Sequence, residues 1–255
     1  MSDKLKNILI TGASQGIGKA LAFEYAEIGC NLALLSRNES ALKEVFEKIN
    51  SSGGKCYYKK CDVSNYDDVR KGIDYSLKEL GSIDIAVLNS GISERIWMDE
   101  FKSSEFIKVF EVNTFGIARC LEFLIPLMKA QGYGIIAGIT SLADVRGFPG
   151  SAPYCSSKSA ASTLLESARV ELKKYDIKVI TVRPGFVKTA MTDKNEFKMP
   201  FLMGVDKAAK IIRKGIEKEK SVVQFPFPLV MLTRVLKFLP NWVYDWGINR
   251  ARPRN

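Results

Sequence analysis

The chain has 255 residues, of which 46% are hydrophobic and 26% charged; this suits one globular domain with a sizeable core and is too apolar for a disordered chain. It contains no histidine, which removes Ser-His-Asp triads, Cys-His pairs and histidine-based metal sites together. Proton chemistry must therefore use Tyr, Lys, Cys, Asp or Glu, and no metal is expected. The net charge is +10, but without an arginine-rich run or interleaved aromatic and basic residues it reads as solubility and attraction for an anionic cofactor; no nucleic-acid partner is expected.

In chain order, Ile8 to Ile10 is a short apolar run that reads as a first strand, followed by helical spacing from Ile17 to Ile28. Leu32 to Leu35 is the second strand, and Ser40 to Ser51 and Tyr66 to Leu80 carry apolar positions at helical spacing between charged ones. Ile83 to Leu88 is the next strand. A long helical pattern, Glu105 to Gln131, leads to the strand Ile135 to Ile139, and a second, Pro153 to Tyr175, leads to the strand Ile177 to Val182. After Pro184 the periodicity weakens into an apolar loop around Phe197 to Met203, then resumes as a helix from Asp206 to Glu219 before a short last strand near Val222. Apolar runs alternating with helices predict a single-domain α/β, Rossmann-type doubly wound parallel sheet with helices on both faces.

Cys30, Cys56, Cys61, Cys120 and Cys155 are scattered and odd in number, which argues against a disulfide framework and for a reducing compartment. No apolar targeting segment stands between Met1 and the first strand, so a cytoplasmic location is expected.

The first strand ends in Thr11-Gly12-Ala13-Ser14-Gln15-Gly16-Ile17-Gly18. Glycines there let a strand turn tightly into a helix whose N-terminus faces a pyrophosphate. The second strand ends in Ser36-Arg37, where an NAD enzyme would offer an acid to the ribose hydroxyls. Arginine suits a 2'-phosphate, so NADP(H) is the expected cofactor; Gln15 is neutral and supplies no second charge. Tyr154 and Lys158, at i and i+4, share a helix face, so the lysine ammonium and the helix N-terminus marked by Pro153 would both favour tyrosinate. Bringing a phenol from about 10 to near 7 takes roughly 4 kcal/mol, which a cation together with a bound cationic nicotinamide could supply.

The glycine-rich turn, Asn113, Ser141, Tyr154-Cys155-Ser156-Ser157-Lys158 and Pro184-Gly185 together resemble the short-chain dehydrogenases/reductases, over nearly the whole chain through Thr189. That resemblance implies that Tyr154 moves the proton to or from the substrate oxygen and that Ser141 hydrogen-bonds the same oxygen. It also implies that Lys158 holds the cofactor ribose and that Asn113 orients a water relaying protons to Lys158. It places Asp62 and Val63 at the adenine, Asn89 and Gly91 after the fourth strand, Pro184 and Gly185 at the cofactor, and Thr189 near the carboxamide. Leu88-Asn89-Ser90-Gly91 departs from the family's Asn-Asn-Ala-Gly, which puts a local structural hydrogen bond in doubt. For Asp62 a helix N-terminal acid is an equal alternative. Pairing through the two long helices into a homodimer or homotetramer is implied by the resemblance alone.

Residues 190–204 fall where the family has its substrate loop, and 226–255 form an apolar, basic extension. Pro228 to Pro240 is too short to span a bilayer and carries Arg234 and Lys237. The extension holds five basic residues (Arg234, Lys237, Arg250, Arg252, Arg254) against Asp245. Covering the pocket or meeting a second subunit is the first reading, and peripheral contact with an anionic membrane is the alternative. With Phe197, Met199, Phe201, Leu202 and Met203, the tail suggests an apolar roof for a bulky or lipid-like secondary alcohol or ketone. Two other functions remain at this point: a dehydrogenase of small hydroxy acids or aldehydes, with Arg146 as the pocket cation, and a non-catalytic nucleotide-binding module.

Overall fold

The computed structural model describes residues 6–195 and 197–251; Arg252 and Arg254 of the basic extension lie outside the described residues. Seven strands form one parallel sheet: β1 (Asn7–Thr11), β2 (Asn31–Ser36), β3 (Lys55–Lys60), β4 (Ile85–Leu88), β5 (Gly134–Ile139), β6 (Ile177–Pro184) and β7 (Val222–Phe225). Their order is β3-β2-β1-β4-β5-β6-β7. The chain builds outward from β1 in one direction and then from β4 in the other, so a crevice opens where β1 and β4 end side by side.

Successive side chains point to opposite faces, and the two cores follow that alternation. Ile8 and Ile10 of β1, Leu32 and Leu34 of β2, and Ile180 and Val182 of β6 pack on one face. There they meet α1 (Gly16–Glu27), α2 (Glu39–Ser51) and α7 (Val205–Glu217). Leu9, Ala33, Leu35, Ile136 and Val179 pack on the other face, against α3 (Tyr66–Leu80), α5 (Gly116–Gln131) and α6 (Ala152–Leu172). This is the expected doubly wound sheet.

Three elements differ from the sequence reading. β3, Lys-Cys-Tyr-Tyr-Lys-Lys, is a strand that hydrophobic runs do not show. It lies at the sheet edge, where half its surface meets water and lysines guard against edge pairing. The Glu105 to Gln131 pattern is α4 (Ser103–Phe110), a π-helical turn over Glu111–Phe115, and α5. That turn widens the helix where Asn113 must face inward. Beyond β7 the chain adds α8 (Phe227–Phe238) and α9 (Asn241–Ala251). All five cysteines are buried thiols, and burial pushes Cys56 and Cys61 up to about 12.

Candidate active site

The cleft at the ends of β1 and β4 has a volume of about 360 Å³. It is lined by Gly12, Ser14, Gln15, Gly16, Ile17, Ser36, Arg37, Asp62, Val63, Asn89, Gly91, Tyr154, Lys158, Pro184, Gly185 and Thr189. Of the residues expected at the cofactor, Gly18 alone does not line it. A Cβ there would sit 2.3 Å from the Gly12 carbonyl oxygen and 2.5 Å from Asn89 Nδ2, so Gly18 lets α1 pack directly on the turn beneath it. Gly12 and Gly16 hold φ of 64° and 55°, a backbone that L side chains seldom adopt. Asn89 fastens the two strand ends: its Nδ2 donates to the Thr11 and Gly12 carbonyls, each at 3.1 Å, and its N–H donates to Thr11 Oγ1 at 3.0 Å. Those bonds hold the turn although Leu88 is a core residue.

α2 and α3 are capped by Asn38 and Asn65, which accept from Ala41 and Asp68 main-chain N–H groups. α1 has no such cap, since Gln15 makes no side-chain capping bond. Its first N–H groups and positive dipole end therefore face the cleft, the arrangement a pyrophosphate requires. The residues present thus fit a dinucleotide. Ser14 and Ser36 hydroxyls pair at 2.8 Å and join this turn to the end of β2. At the rim, Arg37 is well exposed, with Nη1 3.8 Å from Asp62. Burial pushes Asp62 up, but hydrogen bonds from Ser64 and the charge of Arg37 outweigh it and hold the carboxyl below its usual range.

At the other end, Pro153 is the second residue of α6 and sets Tyr154 in its first turn. The Ser141 hydroxyl stands beside the Tyr154 phenol, near enough to pull its ionisation down. Ser141 also accepts from Ala143 N–H at 3.1 Å, so its Oγ is fixed at the start of a short helical turn over Leu142–Val145. Lys158 is 3% exposed. Its Nζ donates to the Ile139 carbonyl at 2.8 Å and stands 5.9 Å from the Tyr154 ring centre.

Here the sequence expectation about charge is corrected. Burial raises the Tyr154 phenol above 10, against the pull of the neighbouring Ser141 hydroxyl, and Asp144 adds to the rise. Burial also brings Lys158 down to about 8. Sharing a helix face does not put the ammonium against the phenol oxygen, because Lys158 reaches across to β5. Desolvation dominates both groups.

Asn113 is fully buried in the π-helical turn. Its Oδ1 accepts from Ile92 N–H at 2.8 Å, while Nδ2 donates to the Ile92 carbonyl at 2.9 Å and to Ser157 Oγ at 3.0 Å. Its side chain therefore pins the loop after β4 to α6; neither Asn113 nor Ser141 lines the dinucleotide cleft itself. Cleft residues that sequence reasoning missed include Ile92, Thr140, Val187, Met191 and Thr192. Only their nearness to Gly91, Ser141 and Thr189 could have signalled them.

The expected apolar roof divides. Phe197 stacks edge-on against Phe186, Met203 packs on the core, and Phe201 and Leu202 are exposed. Arg146 turns away from the cleft: it donates to the Leu236 and Leu239 carbonyls at 2.9 and 2.7 Å and to Asn241 Oδ1 at 2.6 Å, and lies 4.1 Å over the Tyr244 ring. It therefore ties α8 and α9 to the loop between Ser141 and Tyr154.

The short chain dehydrogenase model matches residues 6–199. An uncharacterized oxidoreductase of Myxococcus xanthus is 32% identical over 97% of this chain and 98% of its own length. A protein of Arabidopsis thaliana named 11-beta-hydroxysteroid dehydrogenase-like 3 is 32% identical over 96% of this chain and 80% of its own length. A Burkholderia phymatum short chain dehydrogenase/reductase, solved in complex with NAD, aligns over 100% of both chains with a TM-score of 0.85 at 22% identity, a likeness of fold. The chain belongs to the short-chain dehydrogenase/reductase family, and it is an oxidoreductase of that family.

The Lys158 geometry has a consequence for stability. A lysine whose folded pKa is about 8 is penalised while charged. Below pH 8 both folded and unfolded chains hold the proton and the penalty is constant; between about 8 and 10.5 the unfolded chain binds more protons, so stability rises with pH. Lys158→Met is expected to stabilise the fold at pH 7 by at most about 3 kcal/mol, with the gain vanishing toward pH 10.5. Urea unfolding across that range checks it, and a less stable variant at pH 7 would contradict it.

Proposed function

We propose that the protein interconverts a secondary alcohol and a ketone using NADP(H), with Tyr154 as acid and base, and that its substrate is bulky and apolar. The observation that carries this reading is that Tyr154, with Ser141 beside its phenol, lines one cleft with Lys158 and the glycine-rich turn that fits a dinucleotide. When bound, the nicotinamide supplies or takes up the hydride. In the reducing direction Tyr154 gives its proton to the carbonyl oxygen while Ser141 donates a hydrogen bond to the same oxygen. Lys158, at about 8, is poised to return a proton to the phenolate near neutrality and, lining the cleft, to hold the cofactor ribose. Asn113, by fixing the Ile92 loop, sets the place of the water that relays that proton.

Arg37 supports NADP(H), because the end of β2 offers a guanidinium to a 2'-phosphate and no acid to the ribose hydroxyls. Arg146 weighs against small hydroxy acids, since its guanidinium is committed to α8 and α9. The name of the Arabidopsis relative refers to a hydroxysteroid, which agrees with a bulky apolar alcohol. Exposed Ile107 and Phe115 on the α4 to α5 helix and Val170 on α6 support a homodimer or homotetramer built through those helices. The absence of disulfide-ready surface cysteines agrees with a cytoplasmic location.

Arg37→Glu is expected to weaken NADPH by roughly 10- to 100-fold, as for a lost charge-assisted bond, while leaving NADH nearly unchanged. Fluorescence titration with both cofactors measures this, and an unaltered preference would overturn the 2'-phosphate role. NADPH oxidation against ketones of increasing chain length, with Tyr154→Phe as the blank, tests the reaction. The rate should climb with chain length and fall by about 100-fold or more in the variant. Turnover retained within a few-fold would remove Tyr154 from its role, and binding without turnover of any ketone would leave a nucleotide-binding module.

A further inference from the structure

Among the described residues nineteen large hydrophobic side chains are exposed, and seven of them fall between Phe227 and Trp246. The three most exposed are Phe238 at 82%, Trp242 at 76% and Phe227 at 73%. α8 divides its faces by helical spacing. Leu229 and Val230 are buried against Leu142 and Phe186, whereas Phe227, Met231, Val235 and Phe238, spaced by four, four and three, point outward. Arg234 and Lys237 are exposed on this helix, which holds no acidic residue. Soluble monomers rarely leave so continuous an apolar surface uncovered.

We propose that the outer face of α8, continued by Trp242 and Trp246 of α9, is a docking surface for an anionic lipid bilayer. Charge selects the occupant. Basic residues beside exposed Phe and Trp match the anionic headgroup layer and its acyl boundary, where aromatic rings settle. A second copy meeting this face across a two-fold axis would bring together two α8 helices that each carry Arg234 and Lys237 and no acid, with only the exposed Asp245 of α9 to offset them, an unfavourable pairing. Among the described residues no helix is long and apolar enough to cross a membrane, so the protein lies on the surface. The docked face stays rigidly joined to the domain through Arg146 and through Leu229, which packs where a Cβ on Gly185 would stand. This inference holds for any substrate.

The full chain, sedimented with phosphatidylcholine vesicles with and without phosphatidylglycerol, tests it. Wild-type protein should pellet with the anionic vesicles. Binding should fall about tenfold or more both in Arg234→Glu/Lys237→Glu and in Phe238→Ser/Trp242→Ser, with unchanged thermal unfolding midpoints showing that the variants are folded. Failure of the wild type to pellet with anionic vesicles, or equal binding by the folded variants, overturns the proposal. If light scattering instead shows Phe238→Ser/Trp242→Ser breaking an oligomer while the wild type ignores vesicles, the face belongs to a second copy and the proposal fails.

Discussion

A lysine ammonium removed from water and bonded to a main-chain carbonyl is the constraint on which the site depends. Lys158 lies between the end of β5, whose Ile139 carbonyl it engages, and Gly91, where an added Cβ would approach its Nζ to 3.3 Å. Burial brings it to about 8, which is what lets it give up a proton near neutrality in the proposed reaction. Burial also raises the Tyr154 phenol above its usual value. The fold tolerates this cost because β5, α6 and the loop after β4 are fixed from several sides. Asn113 bridges two of them from a π-helical turn, a distortion commonly found at functional sites.

A second constraint joins chemistry to the chain's end. The loop between Ser141 and Tyr154 contains Asp144, whose carboxylate pairs with Arg183 of β6 and accepts from Ser162 Oγ at 2.6 Å. Two residues on, Arg146 takes the last carbonyls of α8, and Tyr244 of α9 donates to the Gly147 carbonyl at 2.6 Å. The loop between Ser141 and Tyr154 is thus clamped from the sheet on one side and from the C-terminal helices on the other. This spends Arg146 on structure and leaves the substrate side without that cation.

Much of this was legible in the sequence because its signals are local. Apolar runs marked five of the seven strands and a short last one was expected near Val222, while the glycine-rich turn and Tyr-x-x-x-Lys marked the two ends of the cleft. β3 was hidden because an edge strand reading Lys-Cys-Tyr-Tyr-Lys-Lys has no buried run. The π-helical turn was hidden because Glu111 to Phe115 continues the helical periodicity around it. The sign of the Tyr154 shift was misread because a shared helix face fixes where side chains start, not where a long one ends. The commitment of Arg146 to α8 and α9 is a contact across about ninety residues, which no local pattern encodes.

In the proposed reaction the Tyr154 phenol, raised by burial, ionises more readily only once a cationic nicotinamide is bound. Ultraviolet difference titration of wild type against Tyr154→Phe, with and without NADP+, isolates this one phenol. Its ionisation should appear above pH 10 in the protein alone and move below 10 when NADP+ is bound. A phenol that titrates below 10 in the protein alone would show that Lys158, not the cofactor, supplies the charge, and would contradict the account of the site given above.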